Sequence, residues 1–590
     1  MQDLASFYQS NIDKHSNALA KVTEQLLVSS IIRLSVFTLT AFGMYALFGS
    51  PKLVIGVAVV GIALFLFLVA RHTDLKYKRN KLVALKEINE TELLVLERDF
   101  HHLPNGDEFK NSAHYFSQDI DLYGRGSFYQ YSNRTALQSG SEALAELYTE
   151  NSIQGIEQKQ QAIAELSKMP EWRQEFSAVA SLAKTQTTNA VIQKWLENYA
   201  PFVPAMMRYL PLIFSILSLA CSAFFFLGFI SGWILLVVML VGLLISGLFS
   251  KKITKLTAHS TKIQSTFQQY NKLLVIIENM NFESDLLKNK KKAILNEGQK
   301  TSSILKEFSN LLGSLDQNNN VFYLFFGNGF FLRGLATSYQ VEQWIEKHGA
   351  SAKDWFEVIA FFDAFISLGS FAFNHPEYAY PKITEDTIVL KSKAAGHPLL
   401  DPKKSVLNDF QIGNEKFFII TGANMAGKST FLRTVSLQIV MANVGLPVCA
   451  EEVLYNPIKL ITSMRTTDSL TDDESYFFSE LKRLKFIVDE IHTDEYFIVL
   501  DEILKGTNST DKAKGSRKFV EKLVGSKSTG IIATHDLSLC EVAKQLPQIE
   551  NHYFDAEIIA NELHFDYKFK AGICQNMNAS FLLKKMEIVD

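Results

Sequence analysis

The chain has 590 residues, a formal net charge of -3, four cysteines and 47% hydrophobic residues. That length suggests roughly four domains of ordinary size and excludes a small disulfide-stapled scaffold, while the near-neutral charge excludes a globally basic nucleic-acid binder. Cys221, Cys449, Cys540 and Cys574 share no metal-like spacing and follow no secretory cleavage pattern, so they read as free thiols in a reducing compartment.

Residues 1–26 are polar and helix-friendly, with Leu4, Phe7, Ile12 and Leu19 too loosely spaced to define an apolar stripe, and they read as a surface helix. Residues 34–50 then carry no charge, Pro51 and Lys52 interrupt, and residues 53–70 are again uncharged. This pattern predicts a helical hairpin across a bilayer. A second uncharged run, residues 209–249, is long enough for two spans folded near Gly228 to Gly232, since a bilayer core needs about 20 helical residues per crossing. A pair of buried core helices is the alternative for either block.

Charge asymmetry orients both hairpins. The outer flanks hold Arg33, Arg71, Lys76, Lys78, Arg79 and Lys81, then Arg208, Lys251, Lys252 and Lys255, whereas the turns carry at most Lys52. By the positive-inside rule the flanks face the cytoplasm, and so do both termini. The expected protein is therefore an integral membrane protein of the inner, cytoplasmic membrane with four transmembrane helices.

Between and after the hairpins the pattern is helical. Leu82, Leu85, Ile88 and Leu93 lie near one stripe, a turn-rich stretch covers 104–127, and a helix resumes over 156–166. Residues 253–375 read as long helices with polar faces, carrying a basic cluster at Lys288, Lys290, Lys291 and Lys292 that is either a solvated face or a contact for nucleic acid or acidic headgroups. Residues 354–373 are strongly apolar but include Asp354, Glu357 and Asp363, which reads as a buried helix packing two parts of the protein together.

The most informative stretch is 416–432, KFFIITGANMAGKSTFL: an apolar strand, a glycine-bracketed turn, and the start of a helix. From Gly422 to Ser429 it satisfies G-x-x-x-x-G-K-[ST], in which glycines let the backbone wrap a triphosphate and the helix N-terminus adds positive potential. Lys428 is placed to reach the β/γ-phosphates and Ser429 the Mg²⁺. A second apolar strand, residues 496–502, delivers Asp501 for the metal and Glu502 for the attacking water at the sheet edge where α/β folds bind ligands. A third, residues 530–533, ends in Thr534 and His535, a histidine positioned to sense the γ-phosphate.

Here the residues carry a family resemblance. TGANMAGKST at 421–430 resembles the phosphate loop TGPNMGGKST of the MutS family of mismatch-repair ATPases, and the neighbours agree in order: DAFISLGSFA with YPKIT, GHPLL at 396–400, GLPVCAEEV at 445–453 with Cys449 in place of a proline, SYFFSEL at 475–481, DEILKGTNSTD at 501–511 and ATHD at 533–536. The likeness is strong over about 350–590 and weaker over 119–166.

The resemblance implies an α/β P-loop, ABC-type ATPase domain beside an all-α core and lever domain, to which the sequence adds the two transmembrane hairpins. The resulting division is 1–33, an N-terminal helix; 34–70, the first hairpin; 71–208 and 209–249, the first helical part and the second hairpin; 250–375, the second helical part; and 376–590, the ATPase domain. It implies ATP and Mg²⁺ as cofactors, with Gly422, Ala423, Asn424, Met425, Ala426, Gly427, Lys428, Ser429 and Thr430 around the nucleotide. Ser429 and Asp501 fall to the metal, Glu502 to the general base and His535 to the γ-phosphate. Ser475 is implied to reach the partner's ATP, hence a homodimer with composite sites, although a plain helix cap remains open for Ser475 and a loop-bracing role for Asn424.

Departures from the family bear on function. The region before Leu34 is too short for a Phe-x-Glu mismatch reader, the second hairpin falls roughly where mismatch-repair members insert a DNA clamp, and little follows residue 586 for a C-terminal module. Two expectations follow: an ATPase that holds DNA at the membrane without mismatch specificity, or an ATP-driven membrane mechanoprotein acting on a protein or lipid partner.

Overall fold

A computed structural model describes residues 2–182, 188–296, 299–317, 320, 323–423, 425–465, 476–504, 509–559, 562–575 and 588. Two very long helices come first, α1 (Gln2–Ala46) and α2 (Pro51–Leu96), joined by a short turn with Pro51 at the first helical position, where its missing N–H costs nothing. The boundaries drawn at 33 and 70 from composition fall inside these helices, because the change there is only between polar and apolar helix formers, with no Gly or Pro to break the backbone pattern.

A set of short helices follows: α3 (Gln138–Thr149), α4 (Ile156–Ser167) and α5 (Pro170–Ser181). The second apolar block is α6 (Leu210–Phe226) and the first part of α7 (Gly232–Glu278), with the turn where it was expected. Helix α7 also crosses its compositional boundary at 249 unbroken. Beyond it lie α8 (Asp285–Lys292), α9 (Thr301–Asp316), α10 (Arg333–His348) and α11 (Ala352–Asn374).

Helices α1, α2, α7 and α11 are long and apolar enough to cross a membrane by length and composition. They differ in what surrounds them. The apolar window of α2 is 0% buried and that of α7 11%, whereas that of α11 is 83% buried, so α11 is a core helix, as its acidic residues suggested. Helix α6 has only 17 residues, about 26 Å at 1.5 Å per residue.

One apolar segment was not legible as such. Residues 323–331 form a π-helical turn and a short helix rather than part of a long polar-faced helix. Leu324, Phe325 and Phe326 are exposed there, and a Cβ at Gly242, midway along the apolar part of α7, would lie 2.1 Å from the Gly329 carbonyl oxygen. Only glycine permits that approach, the small-residue device by which helices pack closely in membranes.

The helical core is aromatic where α7, α9, α10 and α11 meet. Phe308 stacks on Trp344 at 3.7 Å between centroids, Phe267 meets Phe308 at 4.8 Å, and the Trp344 indole N–H donates to the Ile304 carbonyl. In the basic cluster, Lys291 donates to the Met280 carbonyl and Lys290 lies 4.9 Å from the Phe361 ring centroid, so both are tied to the body.

Asp363 explains an acidic residue in the apolar helix α11. Fully buried, it accepts the N–H groups of Ala136 at 3.1 Å and Leu137 at 2.8 Å, donors that the start of α3 leaves without intrahelical partners. Burial pushes its pKa up to about 7 against the pull of those N–H groups. Because the folded value exceeds the unfolded one, stability from this group is full below about pH 4 and declines as pH rises to about 7. We expect thermal unfolding of the wild type to show this decline relative to Asp363→Asn. Asp363→Leu, which orphans both N–H groups, should cost about 3 kcal/mol or more at any pH.

The C-terminal part is an α/β domain. Its main sheet contains β3 (Phe417–Gly422), β5 (Lys459–Ser463), β6 (Tyr496–Asp501), β7 (Thr529–Ala533), β8 (Ile549–Phe554) and β9 (Lys570–Ala571), in the order β9-β8-β3-β7-β6-β5 and parallel except for β9. A second sheet places Lys382–Ile383 beside β4 (Glu452–Tyr455), then β1 (Ile388–Ala395) and β2 (Asn408–Gly413). Asp119 joins the helical body to this domain, accepting the Thr462 hydroxyl at 2.6 Å and the Arg465 N–H at 2.9 Å, while Asp121 pairs with the Arg465 guanidinium.

Candidate functional site: the phosphate loop and its cleft

Strand β3 is buried at every residue, which fits a central parallel strand covered on both faces. Register sets Ala533 of β7 against both Ile420 and Asp501, so the ends of β3, β6 and β7 reach one edge together. Beyond that edge α12 (Lys428–Val444) begins, with Gly427 immediately before it. Gly422 has φ +148°, and a Cβ there would sit 2.5 Å from the Phe554 carbonyl oxygen; Gly427 has φ +106°. Both positions therefore require glycine. Met425 carries φ +67° and is exposed, whereas Ala423 and Ala426 are buried beneath the loop.

Lys428 is only 6% exposed. Its ammonium donates to the carbonyls of Gly422 at 2.7 Å and Ala423 at 3.0 Å and lies 3.3 Å from His535 Nε2. Burial lowers its pKa from the ordinary lysine value, against the opposing pull of Asp501 and Glu502. The Ser429 hydroxyl donates to Asp501 Oδ2 at 2.9 Å, bringing together the two groups assigned to the metal. Glu502 adopts φ +53°, a left-handed backbone uncommon for its residue type, and its N–H donates to the Ala533 carbonyl at 2.9 Å. This bend sets its carboxylate 3.0 Å from His535 Nε2.

One ring nitrogen of His535 thus faces both Lys428 and Glu502. Protonated, Nε2 donates to the carboxylate; bare, it accepts from the ammonium. Thr430, the third residue of α12, also lines the cleft. Asn424 and Ser475 lie outside the described residues.

These groups line a cavity of about 570 Å³, within the usual size of a small-molecule site. Its far wall carries no chemical motif of its own in the sequence: Gly396, His397 and Leu400 come from the GHPLL turn, and Asn408 and Tyr567 from segments with no motif. Burial holds His397 down at about 4, so it is neutral at physiological pH, and its Nδ1 accepts the Leu399 N–H. The Asn408 amide donates to the Tyr567 carbonyl at 3.0 Å, and a Cβ on Gly427 would lie 3.2 Å from the Tyr567 ring.

The donor set fits a nucleotide triphosphate with Mg²⁺: a buried ammonium, a helix N-terminus, a hydroxyl beside a carboxylate, and a cavity extending from them to neutral aromatic and amide groups.

Comparison with known proteins agrees with this geometry. Residues 418–586 match the family model for MutS domain V, a P-loop ATPase fold. The chain is 30% identical over 223 residues to MutS protein homolog 4 of Homo sapiens, covering 36% of this chain and 23% of that protein. It is 30% identical over 234 residues to the DNA mismatch repair protein MutS of Thermotoga maritima, covering 39% and 29%. It is also 30% identical over 217 residues to the DNA mismatch repair protein MSH4 of Arabidopsis thaliana, covering 35% and 27%. The chain thus spans roughly a quarter of the length of these relatives. Motif order, the sheet edge on which the motifs converge and these relatives all point the same way: residues 418–586 of this chain are similar to domain V of the MutS family.

Proposed function

We propose that this chain is a membrane-anchored ATPase of MutS type that acts as a dimer and holds DNA without preference for mismatches. The observation that carries the ATPase reading is the convergence of Lys428, Ser429, Asp501, Glu502 and His535 on one cleft. Lys428 and the N–H groups at the start of α12 hold the β/γ-phosphates, and Ser429 and Asp501 hold Mg²⁺, which when bound offsets the negative charge of the phosphates. Glu502 takes the proton of the attacking water, and His535 orients that carboxylate. Ser475 of the partner subunit completes the site in this reading, as the family resemblance implies.

Support for membrane anchoring is the exposure of the apolar stretches of α1, α2, α6 and α7, joined by Leu324, Phe325 and Phe326 of the segment packed against Gly242. A soluble protein rarely leaves a continuous apolar surface of that extent in water. Support for DNA is the name of the relatives. In this reading phosphate contacts dominate, and a steep salt dependence is expected.

A second reading, an ATP-driven mechanoprotein acting on a protein or lipid partner, is favoured by a specific connection. The Tyr8 hydroxyl of α1 donates to Asn374 at the end of α11, Asn374 donates to Glu92 of α2, and Arg134 donates to the same carboxylate, each within 2.7 Å. The apolar hairpin is thereby wired to the helix that leads into the ATPase domain. Filter binding of the detergent-purified protein to matched and mismatched duplexes separates the readings. Equal curves that fall with salt are expected; a clear mismatch preference refutes the first reading, and no binding at low salt leaves the second.

A further inference from the structure

A cavity of about 430 Å³ opens beside the basic end of the second apolar hairpin, lined by Trp195, Tyr199, Phe202, Lys252 and Lys255 among others. We propose that it binds the phosphate headgroup of an anionic phospholipid, an inference that rests on the membrane reading above.

The level of the cavity along the hairpin is the first argument. Leu244 and Leu248 on α7 are 70% and 78% exposed, and Leu212 and Ile213 on α6 are 63% and 61% exposed, so the apolar surface runs down to this point. Immediately beyond it α7 continues with Lys251, Lys252 and Lys255, and α6 is preceded by Arg208. An acyl chain lying on that apolar surface brings its phosphate to the height of the lysines.

The second argument is charge. Lys252 and Lys255 are three residues apart on one helix face, and among the described residues no carboxylate lines the cavity and neither lysine forms an ion pair. Two unneutralised ammonium groups converging on a pocket at a membrane boundary are suited to an anionic headgroup.

The third is that the opposite wall is built and rigid. Glu342, buried on α10, accepts the Tyr199 hydroxyl at 3.1 Å, the Phe202 N–H at 2.8 Å and the Val203 N–H at 3.1 Å. That carboxylate is spent inside the wall and fixes the loop, while Trp195 packs edge-on to Tyr199 at 5.6 Å between centroids and Lys252 lies 5.7 Å from the Phe202 ring centroid. Indole and phenol rings favour the glycerol level of a bilayer, where one end is apolar and the other wet.

The test uses the full chain reconstituted into phosphatidylcholine nanodiscs with a graded fraction of phosphatidylglycerol, then released and weighed by native mass spectrometry. One tightly retained phosphatidylglycerol per chain is expected in the wild type, with retention roughly 10- to 30-fold weaker in Lys252→Gln/Lys255→Gln and preserved in Lys252→Arg/Lys255→Arg. Equal retention in the wild type and the Gln pair, or equal retention of phosphatidylcholine, overturns the proposal. Displacement of the lipid by millimolar inorganic phosphate assigns the cavity to a soluble anion and also overturns it. Vesicle flotation of the same preparations separates the two levels of inference: a chain that does not float with lipid removes the membrane reading itself, whereas one that floats but shows no selective retention removes only the lipid site.

Discussion

Glu502→Gln is expected to lower the rate of ATP hydrolysis by roughly 10²- to 10⁴-fold while ATP binding survives. The side chain follows β6 directly, in a left-handed backbone held by its N–H bond to the Ala533 carbonyl, and its carboxylate meets His535 at 3.0 Å. Glutamine keeps the volume and an oxygen able to accept from a protonated Nε2, but it cannot take a proton from water. Neither Lys428 nor the Ser429–Asp501 pair is touched, so the groups that hold phosphate and metal stay in place. Single-turnover hydrolysis alongside equilibrium binding of a fluorescent ATP analogue separates chemistry from affinity. A rate within a few-fold of the wild type would show that another group takes the proton.

The contiguous parts of this site were legible because the chemistry constrains neighbouring residues. A backbone that must wrap a triphosphate needs Gly422 and Gly427 at fixed spacing before Lys428, and a parallel strand that must end at the same edge needs the apolar run that precedes Asp501. The opposite wall obeys no such local rule. Asn408 and Tyr567 meet through a side chain to backbone bond across 159 positions, and either segment reads as an ordinary loop by itself.

The helical part shows the same division. Uncharged runs mark which solvent a helix faces but not where it ends, so α1, α2 and α7 pass straight through boundaries drawn from composition. The segment 323–331 is too short and too rich in Gly and Asn to show a period, and its apolar character takes on meaning only beside Gly242. Asp363 carried a correct warning, that α11 is not a span, but the donors it serves lie more than two hundred residues earlier.

The largest loss of nucleotide affinity is expected from Lys428→Ala. In the wild type the ammonium is almost wholly buried, satisfied by the Gly422 and Ala423 carbonyls and placed beside His535 at the floor of the cleft. Removing one partner of a buried, hydrogen-bonded charge pair costs about 2–5 kcal/mol, which corresponds to roughly 30- to 5,000-fold in ATP affinity. The pH dependence provides an independent signature. Burial lowers the Lys428 pKa, and only the protonated form attracts phosphate, so wild-type affinity should fall as pH rises, beginning below the ordinary lysine range. The Ala variant has no such group and should give a flatter profile at its weaker level. Calorimetric titration of ATP from pH 7 to 10 measures both effects, and circular dichroism of the variant checks that the domain is folded. Parallel pH profiles for the two proteins would mean that another group governs phosphate binding, and unchanged affinity at pH 7 would remove Lys428 from the site.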